Sequence, residues 1–122
     1  IEVDAHYLTD DNSFYSPDPN FLAFGLGGVD DAEDADVIIH EYGHALSQSA
    51  APFTNAGFER RGLDEGICDY LATSYSRQLN PFGWERMFTW DGHNPFWPGR
   101  PGNSEATWPL LSGNFYAYGS LW

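Results

Sequence analysis

Lysine is absent from this chain, and cysteine and methionine occur once each. Against 18 acidic residues stand only five arginines, so the formal net charge is -13. A chain of that sign repels phosphate backbones and anionic bilayers, which disfavours a role on nucleic acid or at a membrane. The lone Cys68 excludes an internal disulfide and reads as a small buried hydrophobe rather than a thiolate ligand. No apolar run is long enough to span a bilayer, and no signal peptide is visible. Repeats, linkers and phosphate-type glycine loops are missing too. What remains is 122 residues, 42% hydrophobic and 19% charged, the composition of one globular domain with a small core.

Against that background the stretch His40-Glu41-Tyr42-Gly43-His44 stands out. Histidines four apart lie one above the other on a helix, so each can give a ring nitrogen to one Zn²⁺. Glu41 falls beside the metal rather than on it, where a carboxylate can take a proton from attacking water. The flanks read as helical. Asp30 with Glu33, or Asp31 with Asp34, has the spacing of a capping pair, and the acidic run suits a helix start. That run is expected to be a solvated first turn, with a Ca²⁺ contribution as the weaker reading. Ile38, Tyr42, Ala45 and Ser49, widened by Ile39 and Leu46, predict the buried face. Ala51-Pro52 ends the helix after about four turns.

A zinc enzyme needs a third protein ligand and one open position. A second periodic segment runs from Gly62 to about Leu79, with Ile67, Leu71, Ser74 and Gln78 on one line and Cys68, Ala72, Tyr75 and Leu79 on another. Glu65 is the leading candidate for the third ligand, ahead of Asp64, Glu59 and His93. Asp69, one turn after Glu65, is placed to accept the outward N–H of a ligating imidazole.

HEYGH followed by Glu65-Gly66-Ile67-Cys68-Asp69 resembles the gluzincin metallopeptidases, the group of thermolysin, and most of all their fungalysin-like bacterial relatives. The resemblance covers most of residues 3–79 and, more loosely, 84–122. It implies Zn²⁺ on His40, His44 and Glu65, with Glu41 as general base and Asp69 orienting the first histidine. Asn12-Ser13-Phe14-Tyr15 is similar to the family's edge strand, whose backbone pairs with bound peptide, so Asn12, Ser13 and Phe14 become candidate substrate contacts. Tyr116-Ala117-Tyr118-Gly119-Ser120-Leu121-Trp122 is similar to a His-x-x-Gly-x-x-Trp segment of the fungalysin-like proteins. Gly119 and Trp122 match it, while Tyr116 stands where the family's oxyanion-stabilising histidine would be. A tyrosine hydroxyl can still donate there. Ser76 replaces an acidic calcium ligand of thermolysin. Asp36 matches another, so Ca²⁺ is supported only weakly.

The remaining segments fill in the architecture. Residues 1–6 alternate like a strand that Tyr7-Leu8 extends, and His6 on it reads as a surface residue. Ser16-Pro17-Asp18-Pro19-Asn20 marks a turn, and residues 21–26 a strand against the core. Residues 52–61 read as a loop with Arg60 and Arg61 solvated. Residues 85–90 read as a strand or short turn, and residues 91–109 lack periodicity. Their tryptophans read as packing over the helices, or as an aromatic rim beside the cleft. The expected fold is α+β and zincin-like, with a small antiparallel sheet set against the HExxH helix and a second ligand-bearing helix. The chain, residues 1–122, is expected to be part of the catalytic domain of a longer, secreted bacterial zinc metalloendopeptidase acting on polypeptides, with a C-terminal lobe of the same protein completing the cleft. A zinc-binding domain with impaired catalysis and a binding or structural role is the alternative.

Overall fold

A computed structural model describes residues 1–103 of the chain. Strand β1 (Glu2–Leu8) is followed by β2 (Phe14–Pro17) and β3 (Asn20–Gly25). A 3-10 turn (Asp31–Glu33) leads into helix α1 (Ala35–Ala50), then comes helix α2 (Phe58–Leu79), and a short β4 (Arg86–Met87) pairs with β5 (Arg100–Pro101). The class is α+β, a small sheet against two helices. Among the described residues no helix is long and apolar enough to cross a membrane.

The sheet order is β1-β3-β2, and it is mixed rather than antiparallel. β2 and β3 form a tight hairpin, antiparallel from Phe14↔Ala23 to Pro17↔Asn20. β1 lies on the other side of β3, runs the same way as β3, and pairs in parallel from Glu2↔Phe21 to Asp4↔Ala23. The hairpin reverses the chain within β2–β3, so a strand placed on the far flank of β3 is parallel whenever the chain crosses over from β1 to β2. β3 is therefore central, with Leu22, Ala23 and Phe24 all buried. The edge strand also begins and ends later than residues 12–15: Ser16 and Pro17 belong to it, and proline is tolerated because an edge position needs no second ladder. Asn12 and Ser13 belong instead to the turn before it, held down by the bond from Gly27 N–H to the Asp10 carbonyl.

The core joins Leu22 and Phe24 of β3 to Val37 of α1, Ala72 of α2, Met87 and Phe88. α1 packs on both α2 and the sheet, but not with its most apolar stripe. Ile38, Tyr42 and Leu46 are 38%, 45% and 45% exposed, while Val37, His40, Glu41 and Gly43 face inward. Likewise α2 buries Asp64, Cys68, Asp69 and Ala72 and leaves Ile67, Tyr75 and Leu79 exposed. Buried polar groups with partners in place outweighed raw apolar periodicity in choosing the face. α2 also starts at Phe58, four residues before Gly62, because the pair Arg60–Asp64, one turn apart at 3.1 Å, continues the helix into what reads as loop.

The acidic run ahead of α1 is not a solvated first turn. Asp34 is the N-cap, accepting from the Asp36 N–H at 2.8 Å, and Asp31, Asp34 and Asp36 are all buried. The carboxylates of Asp34 and Asp36 bind backbone donors from a distant segment: Phe88 N–H goes to Asp36, and Trp90 and Asp91 N–H both go to Asp34. Residues 88–91 are thereby strapped across the start of α1.

Candidate metal centre

His40 and His44 stand side by side on α1, their rings edge-to-face at 5.0 Å between centroids. Glu65 on α2 faces both. Its carboxylate lies 3.2 Å from His40 Nε2 and 3.6 Å from His44 Nε2. The opposite nitrogen of each ring is anchored. His40 Nδ1–H donates to Asp69 Oδ1 at 2.8 Å, and His44 Nδ1–H donates to Asp64 Oδ2 at 2.6 Å. Ser47 and Arg60, with Asn55 at 2.8 Å, also donate to Asp64. Burial works against the charge on Asp64, but the bonds from His44 and Ser47 prevail and hold its carboxyl down at about 2. An ionised acceptor at Nδ1 fixes the N–H there, so the lone pair of His44 is on Nε2, turned to Glu65.

The set fits a zinc ion on the chemistry of its donors. Two imidazole nitrogens and one carboxylate oxygen come within 4.8 Å of one another, three ligands in all, as an open four-coordinate site requires. Burial opposes protonation of His40, yet the bond to Asp69 and then Glu65 lift it to about 9. The same nitrogen-facing carboxylate that attracts a proton attracts a divalent cation. His44, Asp64 and Cys68 form a second close group. There the His44 nitrogen is already committed to Asp64, and burial pushes the Cys68 thiol far up, so it offers no thiolate.

Glu41 is 7% exposed and lies in the floor of the same cleft. Burial raises its pKa, His40 and His44 lower it, and Glu65 raises it again, with a net upward direction. A base moved towards neutrality is better matched to accepting and then releasing a proton. The cleft holds ≈ 980 Å³ and runs between the HEYGH face of α1 and the edge strand β2. Asn12, Ser13, Phe14 and Tyr15 line it. Ser13 spends its hydroxyl on Asp31, and Phe14 packs edge-on against Tyr7 and Phe21.

Other candidates fall elsewhere. Asp64 turns to His44 Nδ1, Glu59 is exposed, and His93 Nε2 meets the Met87 carbonyl at 2.9 Å. Both oxygens of Asp36 are used, one by Ser76 Oγ and one by Phe88 N–H. Trp97 lines the cleft and packs on Phe88, whereas Trp90 is exposed. Tyr116, Gly119 and Trp122 lie outside the described residues.

Two residues come into the site that the sequence reading did not place there in these roles. Asp64 anchors the second histidine, and Arg100 donates to Asp69 Oδ1 at 2.7 Å, holding the acceptor of the first. For Asp64 a signal existed: two histidines each need an outer acceptor, and Asp64 and Asp69 flank Glu65 on one helix. Arg100 has no local signal, since 31 residues separate it from Asp69. The chain matches no family model, no curated protein and no solved structure.

Proposed function

We propose that this chain is the zinc-binding core of a gluzincin-type metallopeptidase that hydrolyses peptide bonds in extended polypeptide. The observation that carries the reading is the convergence of His40 Nε2 and His44 Nε2 on Glu65, each ring anchored behind by its own aspartate. Zinc bound there supplies Lewis acidity, polarising the scissile carbonyl and easing deprotonation of the attacking water. The chain's residues do the rest. Glu41 accepts the proton on its carboxylate and returns it to the leaving amine. Asp69 and Asp64 keep both histidines in the tautomer that presents Nε2. The outer edge of β2 pairs with the substrate backbone, which lays the peptide along the cleft above α1. The resemblance gives Tyr116, which lies outside the described residues, the part of a donor to the developing oxyanion.

A zinc domain with impaired catalysis is favoured by one feature, tyrosine at 116 in place of histidine. Profiling the full-length zinc protein against a peptide library, with Glu41→Gln as control, tests the proposal. Cleavage by the parent and none by the variant supports a peptidase. Zinc binding without cleavage by either supports the impaired domain.

A further inference from the structure

We infer that Asp11, Asp31 and Asp91 form a second metal site, for a hard divalent cation of the Ca²⁺ type, in the wall of the same cleft. The three come from distant parts of the chain: the turn between β1 and β2, the 3-10 turn ahead of α1, and the strap behind β4. One carboxylate oxygen of each lies within 4.8 Å of the others.

Acidic groups gather on many surfaces without an ion; burial makes these different. Asp31 and Asp91 are only 2% and 4% exposed, and Oδ1 of each is enclosed with no hydrogen-bond partner. Their other oxygens are occupied. Asp31 Oδ2 accepts from Ser13 Oγ at 2.5 Å and from Gly25 N–H at 3.4 Å, and Asp91 Oδ2 accepts from Trp97 Nε1 at 2.8 Å. A buried carboxylate oxygen left unpaired costs free energy that an ion would offset. Of the arginines that line the cleft, Arg61 and Arg100, the second is bonded to Asp69.

The donor set selects the ion. It contains oxygen alone, with no imidazole or thiolate, which favours Ca²⁺ over zinc. Carboxylate oxygens separated by up to 4.8 Å can share one Ca²⁺ at about 2.3–2.6 Å from each. Exposed Asp11 leaves one side open for the water that completes a Ca²⁺ shell. Burial, and then repulsion from Asp31, raises Asp91 to about 6; burial raises Asp31 as well, against the lowering bonds from Ser13 and Gly25. Occupancy would cross-link the approach to β2, the approach to α1 and the strap at 88–91. The ion thereby fixes the distance between the edge strand and the helix of the histidines. This site does not depend on the zinc reading.

Terbium luminescence tests it, because the Trp97 indole is bonded to Asp91 and can transfer excitation to Tb³⁺ held there. The full chain is saturated with Zn²⁺ first, so that the histidine site is filled. Tryptophan excitation should then give Tb³⁺ emission that Ca²⁺ at about 1 mM or below displaces. Asp91→Asn should abolish the signal. Asp11→Asn, at an exposed position that does not endanger folding, should weaken Ca²⁺ at least about tenfold while zinc content stays unchanged. Calorimetric titration of Trp97→Phe with Ca²⁺ should still show binding, although its Tb³⁺ signal is lost. Absence of Ca²⁺ binding in the parent, or an unchanged Ca²⁺ affinity in Asp11→Asn, overturns the site.

Discussion

Gly43 of α1 packs directly against Cys68 of α2, between the two helices that carry the histidines and Glu65. A Cβ at position 43 would lie 2.9 Å from Cys68 Sγ and 3.2 Å from its Cα. The glycine of HEYGH is thus a packing requirement. Gly43→Ala gains up to about 1 kcal/mol in helix propensity and loses about 1–3 kcal/mol to overpacking. Urea unfolding of the zinc-loaded protein should show a net loss of stability. Adding Cys68→Ala should recover part of it by removing the sulfur.

The anchors of the histidines should matter for metal affinity. Asp69→Ala frees His40 Nδ1 and removes one acceptor of Arg100; Asp64→Ala frees His44 Nδ1 and removes one acceptor of Arg60. Each should weaken zinc about 10–100-fold in competition with a chromogenic chelator. Equal affinity in Asp64→Ala and the parent would remove that residue from the site.

Protonation of His40 sets a pH dependence. After zinc is stripped by a chelator, its pKa of about 9 means a proton competes with the metal. Apparent zinc affinity should therefore rise with pH, by about tenfold per unit from this one proton, and flatten above about 9. Stability of the stripped protein moves the other way. The folded value lies above the ordinary 6.5, so this contribution is full below 6.5 and fades as pH rises through 9. Titrating zinc affinity and urea midpoint across that range checks both slopes.

Much of this arrangement was legible in the sequence, and the gaps have physical causes. Helix α1 and the shared face of His40 and His44 follow from a four-residue spacing, which is a local property. The placing of Asp69 against His40 follows from the same rule applied to α2. The sheet was legible as strands but not as pairing, because β1 pairs with β3 rather than with β2, the next strand along the chain, and nothing in a strand names its neighbour. The buried face of α1 departs from its apolar stripe because Asp36 and His40 go inside with distant partners, Asp69 lying 29 residues from His40 and Phe88 52 from Asp36. The acidic run hid the strap for the same reason: its donors are backbone N–H groups of residues 88–91, which carry no sequence signature.

Among the described residues the outer edge of β2 carries no further strand, which makes a prediction about ligand direction. A peptidic hydroxamate bound to the zinc protein should run extended beside Phe14–Pro17, exchanging backbone bonds with that strand. A crystal structure of the complex checks this. A ligand backbone distant from residues 14–17 would discard β2 as the substrate edge.

Tyr116 should act on turnover more than on substrate binding. Tyr116→Phe removes one hydroxyl donor, and turnover should fall by about 10²–10³ with a much smaller change in substrate binding. Unchanged turnover would leave Tyr116 without a part in the reaction.

The central claim is that Glu41 moves the proton in a zinc-dependent hydrolysis. Peptide turnover by the full-length protein and its Glu41→Gln variant, with zinc content measured on the same samples, tests it most directly. The account predicts one zinc in each and turnover reduced by at least about 10²–10⁴ in the variant. A Glu41→Gln protein that holds zinc and cleaves peptide at the parental rate would contradict it.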